Sequence, residues 1–219
     1  MNIILLGCPG AGKGTQAKIL AEKYGLKHIA TGDLFRAEIA AKTPLGLKVA
    51  DYLKNGTLVP DGVVVEMVAG KLDGTNAAGY VLDGFPRTLE QAQALDGVLK
   101  KTAQRIDAVA YINMNEAEVV RRLTSRRSCA KCGALYNLLT KPPKTDGKCD
   151  SCGGDVVQRE DDGESTVKKR LLVYNDLTAP LISFYKSELP FFELDGSQPI
   201  DSVTQALVSV IDGAKAGKA

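Results

Sequence analysis

Gly7-Cys8-Pro9-Gly10-Ala11-Gly12-Lys13-Gly14-Thr15 lies directly after the apolar run Ile3-Ile4-Leu5-Leu6 and directly before a helical pattern, and that context decides the fold. A buried strand that delivers the chain to a glycine-rich turn and then to a helix builds a cradle for phosphate. Without Cβ atoms the backbone N–H groups can turn toward an anion, and the helix N-terminus adds partial positive charge. Lys13 supplies a full charge for the β and γ phosphates, and Thr15 a hydroxyl near a metal. The first seven positions fit G-x-x-x-x-G-K-[ST], but Gly14 fills the last one and the hydroxyl comes a residue later. The dinucleotide pattern G-x-G-x-x-G fits poorly, because Gly10 and Gly12 are followed by Thr15. A tight strand-to-helix turn without a ligand would leave a lysine at this spacing unexplained.

Outward from the loop, Ala17, Leu20, Ala21 and Tyr24 recur at helical spacing and Gly25 follows as a stop, completing strand, loop and helix. The apolar piece His28-Ile29-Ala30 leads into Thr31-Gly32-Asp33, whose side chains are expected to cap a helix beginning near Leu34. Lys42-Thr43-Pro44 breaks that helix. A second, with Leu45, Val49, Tyr52 and Leu53 on one face, ends before Gly56, and Asp61 is placed to cap a third running to about Leu72. The apolar run over 80–82 ends at Asp83-Gly84-Phe85-Pro86-Arg87, so Asp83 and Arg87 emerge at a strand's C-terminal end, the edge where open α/β sheets bind ligands. A helix over 88–100, a strand over 108–112 and a helix opened by Asn115, with Glu116 and Glu118 in its first turn, follow.

A segment of about 125–162, rich in Gly, Pro, Lys and Asp, then interrupts the alternation. A long helical pattern resumes near Glu164, with Val167, Leu171, Tyr174, Leu177, Leu181 and Phe184 as its apolar stripe and Pro180 expected to bend it. These aromatics fall at core spacing, so the pattern reads as packing and not as a stacking platform. A strand over 191–194 and a helix over 203–211 complete five strands alternating with helices, and the tail over 214–219 is expected to fray.

Apolar content of 44% and charged content of 25% are those of an ordinary soluble globular protein, and 219 residues can bury a substantial single core. A formal net charge of +2 gives no reason to invoke nucleic acid or an anionic membrane. The run Ile3 to Leu6 is too short for a signal-peptide core or a membrane span, so a cytoplasmic protein is expected. Among the five cysteines, Cys8 sits in the phosphate loop and reads as packing. Cys129, Cys132, Cys149 and Cys152 form two C-x2-C knuckles separated by sixteen residues, a zinc-ribbon spacing. A reducing compartment and paired knuckles favour metal over disulfides, and a thioredoxin-type role would use one C-x-x-C beside a βαβ pattern. Four thiolates leave no position for water, which makes the zinc structural.

Single surface arginines are usually solvated, yet several of Arg36, Arg87, Arg122, Arg126, Arg127, Arg159 and Arg170 fall at the inferred hinges and at a strand end beside the phosphate loop, where guanidinium forks can hold a transferring phosphoryl group. With the segments Gly7 to Gln16, Thr31-Gly32-Asp33-Leu34-Phe35-Arg36, Asp83 to Thr88, Cys129 to Tyr136 and Arg159-Glu160-Asp161-Asp162, the chain resembles the adenylate kinases over essentially its whole length. The form it resembles is the long, bacterial type with a zinc-bearing lid. The resemblance implies an α/β fold of the P-loop nucleoside monophosphate kinase type, a five-stranded parallel sheet flanked by helices. It divides the chain into a core (1–29, 60–124, 163–219), an inserted AMP-binding lobe (30–59) and the lid (125–162). The implied activity is reversible transfer of the γ-phosphoryl of ATP to AMP, giving two ADP with Mg²⁺, in a monomer without nucleic-acid or membrane partners.

The same resemblance implies the site. Gly10, Ala11, Gly12, Lys13, Gly14 and Thr15 cradle the ATP phosphates, Arg122 lies beside the ATP base, and Leu135, Tyr136 and the backbone near Gln198 complete that pocket. Thr31, Arg36, the backbone of Thr57, Leu58 and Val59, Gly84, Phe85, Pro86, Arg87 and Gln91 hold AMP. Arg126, Arg159 and Arg170 close on the phosphates of both nucleotides and, with Lys13 and Arg87, form the catalytic set. Asp83 holds Mg²⁺ through water, and the four cysteines hold structural Zn²⁺. Ala30, Ser125 and Asn137 depart from residues frequent in the family; Asn137 leaves open a side-chain contact to ATP, and Ser125 the rate of lid closure. His28, the only histidine, reads as structural, with no nearby acid to orient it. Thr31 and Gln91 match the pattern for adenine in the acceptor site, whereas the choice of ATP or GTP as donor stays open. A zinc-ribbon nucleic-acid binder would explain the cysteines and Arg126, Arg127, Lys131, Lys141 and Lys144. It does not explain Lys13, and Asp146, Asp150, Asp155, Asp161 and Asp162 offset the basic charge.

Overall fold

Alternation along β1 (Asn2–Leu6) splits the molecule into two apolar layers. Ile4 and Leu6 face a cluster with Ile29, Phe35, Val68, Leu82, Leu95 and Leu181, while Ile3 and Leu5 face Leu20, Val81, Leu194, Val203 and Leu207. A strand buried on both faces reads as an unbroken apolar run and needs helices on both sides, as in parallel sheets. Each such side chain taken fully from water stabilises the fold by about 1.5–3 kcal/mol. The computed structural model describes residues 1–72 and 78–216. Along the chain the elements are β1, α1 (Lys13–Tyr24), β2 (Lys27–Ala30), α2 (Thr31–Ala40), α3 (Pro44–Asn55), α4 (Asp61–Leu72), β3 (Tyr80–Asp83), α5 (Leu89–Lys101), β4 (Ala108–Asn113) and α6 (Glu116–Thr124). They continue with β5 (Arg126–Cys129), β6 (Leu135–Asn137), β7 (Val156–Val157), α7 (Glu164–Val173), α8 (Pro180–Glu188), β8 (Phe191–Asp195) and α9 (Ile200–Ala216).

Five strands form a parallel sheet in the order β2-β3-β1-β4-β8. Asp83 pairs in register with Leu5 on one side and Ala30 on the other, so the ends of β1, β2 and β3 coincide. The loop after Leu6, the helix start at Thr31 and the Gly84 turn therefore open at one edge of the sheet. Residues 126–157 make a separate three-stranded antiparallel sheet, β6-β5-β7, which the cysteine spacing did not announce. Packing of α3 against α7 and the 3-10 turn Glu160–Asp162 brings the two inserted segments together over that edge.

Local signals set several helix starts as expected. Thr43, Thr88 and Asn115 accept from the backbone N–H of Gly46, Gln91 and Glu118, and Pro44 occupies the first turn of α3. At Thr31 the expectation fails: α2 begins at Thr31 itself, behind Ala30, with no side-chain cap, because the Thr31 hydroxyl donates to Gly84 O at 2.7 Å. The long helical pattern is interrupted by a π-helical turn, Tyr174–Thr178, ahead of Pro180. The extra residue shifts the stripe: Leu177 is exposed, and Thr178 takes the inward position. Helix α9 starts three residues earlier than expected and is helical through Ala216; of the tail expected to fray, 217–219 lie outside the described residues. No helix among the described residues is long and apolar enough to cross a membrane.

Candidate active site

The phosphate loop runs from β1 into α1, with Gly12 in the left-handed region at φ 97°. Lys13 curls back so that Nζ donates to the carbonyls of Gly7 (2.7 Å) and Cys8 (2.9 Å). Desolvation lowers its pKa to about 8, against an opposing pull from Asp83. Cys8 packs with Ala11, Ile112, Met114 and Leu123 as expected, and burial raises its thiol pKa. The structure gives a reason for Gly14 at the position that departs from the general motif. A Cβ there would lie 3.1 Å from Asp83 Oδ2, tighter than ordinary contact, so a serine or threonine would press on the carboxylate. One expectation is corrected here: His28 does have an acid beside it, since its Nε2 is 3.5 Å from Asp83 Oδ2. His28 lies in β2 and Asp83 at the C-terminal end of the neighbouring parallel strand β3, and no sequence spacing relates residues 28 and 83.

On one side of the loop, Thr31, Gly84, Pro86, Arg87 and Gln91 line a cavity of about 720 Å³, within the usual range of small-molecule sites. Arg87 Nε donates to Gly84 O at 2.8 Å, and burial followed by repulsion from Arg170 lowers its pKa to about 10. Gln91 accepts from Arg87 N at 2.8 Å and donates to Asp61 Oδ1 at 2.7 Å, while Thr88 Oγ1 donates to Asp61 Oδ2 at 2.8 Å. Thr178 Oγ1 donates to Arg87 O at 2.9 Å, tying the π-helical turn to the same loop. Phe85, between Gly84 and Pro86, is not among the residues that line the cavity. Its side chain is 1% exposed and packs in the core, leaving its neighbours to form the wall.

Arg36, Arg126, Arg159 and Arg170 reach the same cavity from four different elements or turns. Asp162, fully buried, accepts from Arg126 Nε at 2.8 Å and Nη2 at 2.5 Å, and its Oδ1 lies 3.3 Å from Arg170 Nη1. Arg170 also pairs with Asp161 Oδ2 at 3.1 Å. Burial opposes the Asp161 charge, yet Arg170, Arg36, Arg126 and Arg159 together hold its pKa below the ordinary value. Burial, then the neighbouring Arg36 and Arg126, lower the Arg159 pKa to about 10. This is a pocket of like charge held by two carboxylates, and a polyphosphate would relieve it. In the sequence Asp161 and Asp162 stand out only as part of a motif and as an offset to basic charge. The acidic run after Arg159 was the signal for their role.

At the other end, Arg122 donates to Glu118 Oε1 (2.9 Å) and Gly196 O (3.0 Å), and Gln198 Nε2 donates to Asp195 Oδ2 (2.9 Å). The Asn137 side chain is spent inside the protein, donating to Arg122 O and accepting from Leu139 N and Thr140 N. Leu135 and Tyr136 line the cavity, though the Tyr136 hydroxyl turns away and donates to Cys149 Sγ at 3.3 Å. That hydrogen bond lowers the Cys149 thiol pKa to about 6. Thr140 and Lys141 also line this end, which the sequence reading did not anticipate.

The four Sγ atoms of Cys129, Cys132, Cys149 and Cys152 all lie within 4.8 Å of one another, with no disulfide among them. Cys129–Cys152 and Cys132–Cys149 are each 3.5 Å apart. A tetrahedron with Zn–S bonds of about 2.3 Å has edges of about 3.8 Å, so the donor set fits a thiophilic ion. Backbone N–H groups of Lys131 and Cys132 point at Cys129 Sγ at 3.4 and 3.5 Å, which suits a thiolate.

A glycine loop at a parallel-sheet edge, facing a lysine, an aspartate and a ring of arginines, defines a phosphoryl-transfer enzyme of the phosphate-loop class. Residues 5–189 match the family model described as adenylate kinase. The chain is 49% identical to the adenylate kinase of Thermosipho melanesiensis, covering 96% of this chain and 99% of that protein. It is 48% identical to that of Archaeoglobus fulgidus (98% and 100%) and 47% identical to that of Clostridium perfringens (98% and 100%). The chain belongs to the adenylate kinase family.

Proposed function

We propose a division of labour by which this chain moves the terminal phosphoryl group of ATP to AMP, reversibly, giving two ADP. Lys13 and the N–H groups of residues 10–15 bind the donor phosphates, while Thr31, Arg36, Gly84 to Arg87 and Gln91 bind AMP. Arg126, Arg159 and Arg170 neutralise the charge that moves between them, and Arg122, Leu135, Tyr136 and the Gln198 backbone enclose the donor base. The carrying observation is the convergence of Lys13, Arg87, Arg126, Arg159 and Arg170 on one cavity. Phosphoryl transfer of this kind needs alignment, neutralisation and exclusion of water, and little covalent chemistry from the protein. Mg²⁺ brought with ATP would supply further charge neutralisation, and the hard carboxylate of Asp83 beside the loop suits it through water.

Segments 30–59 and 125–162 act as a lobe and a lid that close over the nucleotides, a reading supported by the packing of α3 on the 160–162 turn. Zn²⁺ on the four cysteines is structural, since tetrathiolate coordination has no open position. The reading extends to a cytoplasmic monomer, as four unpaired cysteines suit a reducing compartment. The test is a coupled assay of ATP and GTP with each nucleoside monophosphate, on wild type and Lys13→Ala. ATP with AMP should be the preferred pairing. Lys13→Ala should lose turnover by about a thousandfold while keeping its fold, because the lost charge matters most in the transition state. A folded Lys13→Ala enzyme with near-normal turnover removes the assigned role.

A further inference from the structure

An amide side chain can read either of two opposite base edges, and its orientation chooses between them. Adenine offers an amine donor at N6 and an acceptor at N1, whereas hypoxanthine offers an acceptor at O6 and a donor at N1. One orientation of Gln91 meets the first pair and the flipped one meets the second. In this protein the Asp61 carboxylate and a backbone N–H hold that orientation. Asp61, at the start of α4, has only acceptor atoms and takes one hydrogen of Gln91 Nε2 at 2.7 Å. The backbone N–H of Arg87 can only donate, and it gives to Gln91 Oε1 at 2.8 Å.

A flip would set Nε2 against the Arg87 N–H and Oε1 against the Asp61 carboxylate, two like-against-like contacts at a side chain only 1% exposed. The second Asp61 oxygen accepts from Thr88 Oγ1, whose oxygen in turn accepts from Gln91 N at 3.1 Å, so the carboxylate cannot swing away without leaving the Thr88 hydroxyl without its acceptor. One hydrogen on Nε2 and one lone pair on Oε1 are left over, and Gln91 lines the cavity.

Resting on the reading of Gln91 as an AMP contact, we infer that Asp61 is a positioning residue that sets the preference for AMP over IMP by fixing the Gln91 amide. The experiment compares kcat/KM for AMP and IMP at saturating ATP in wild type, Asp61→Ala, Asp61→Asn and the Gln91→Ala background. Asp61→Ala should lower the AMP-to-IMP ratio about tenfold, with the KM for ATP within about twofold. Asp61→Asn keeps an oxygen for Gln91 Nε2 and should hold the ratio within about threefold. In Gln91→Ala, adding Asp61→Ala should change nothing further, because Asp61 acts only through Gln91.

If the alanine variant does not fold, Asp61→Ser, whose hydroxyl cannot span both donors, takes its place. A folded Asp61 variant with the wild-type ratio overturns the inference, as does an equal effect of Asp61→Ala with and without Gln91. A wild type that converts ATP and AMP to ADP but accepts IMP equally well also overturns it, and leaves the transferase reading intact. Absence of ADP formation from ATP and AMP would instead strike that reading itself.

Discussion

Segments 30–59 and 125–162 both interrupt the βα alternation and both carry arginines to the cavity, yet they are held together by different means. Phe35, Val49 and Val59 in the first belong to the same apolar cluster as Ile4, Leu82 and Leu95 under the sheet. The second has its own small cluster of Cys129, Tyr136 and Cys149, packed against Ala134, Cys152 and Val156. One segment shares apolar burial with the core, whereas the other gathers four cysteine sulfurs and has the pairs Arg126–Asp162 and Arg170–Asp161 at its base. Cohesion of the first kind should melt with the whole protein. Cohesion of the second kind can be removed locally.

The largest contrast is expected on removing metal. In Cys149→Ser, or after treatment with a zinc chelator, amide protection over 125–162 should fall about a hundredfold or more while that over 30–59 is retained. Elemental analysis of the untreated protein should find one zinc per chain. Equal loss of protection in both segments would erase the comparison, and a disulfide between these cysteines would replace its basis.

Truncation in the other segment should act globally. Phe35→Ala removes a side chain only 4% exposed and should cost about 3–5 kcal/mol of unfolding free energy, read by denaturant titration, with one cooperative transition. A second transition assigned to 30–59 alone would show that this segment also melts by itself. Asp162→Ala strikes the base of segment 125–162. It leaves Arg126 without its carboxylate partner and Arg170 without one of its two, and should cost up to about 3–5 kcal/mol, together with turnover, since both guanidiniums would lose their orientation. A melting temperature unchanged by Asp162→Ala would mean that water or phosphate, and not Asp162, satisfies these arginines.

The smallest effect expected is one of pH and belongs to the phosphate loop. Lys13, with its pKa lowered to about 8 in the free enzyme, should lose its charge above that pH, so kcat/KM for ATP should fall by up to about tenfold per pH unit there. Its effect on stability has the opposite sign. Between about 8 and 10.5 the unfolded chain keeps a proton that the folded chain has released, so this residue makes folding more favourable as pH rises through that window. A kcat/KM for ATP that stays flat to pH 9.5 would place the ammonium in a better-solvated setting.

What the sequence alone determined are the features whose partners lie close in the chain. The phosphate loop is nine consecutive residues, each knuckle needs only two intervening residues, and the caps at Thr43, Thr88 and Asn115 act on N–H groups three residues on. The unbroken apolar runs of the strands likewise call for burial on both faces before any partner strand is known. Resemblance then assembled most of the cavity, Phe85 excepted, because its side chain belongs to the core.

Only the tertiary structure decided the contacts made across the sheet edge. His28 meets Asp83 because β2 and β3 are neighbours, Asp61 meets Gln91 because α4 packs on α5, and Asp162, in the turn before α7, closes on Arg126 at the start of β5. Thr178 reaches Arg87 O from 91 residues away, and it does so because a π-helical turn rotates it inward where a regular helix would have presented Leu177. The physical reason is common to all four. A polar side chain away from water takes the nearest complementary group, and which group is nearest is set by strand order and helix packing, not by separation along the chain.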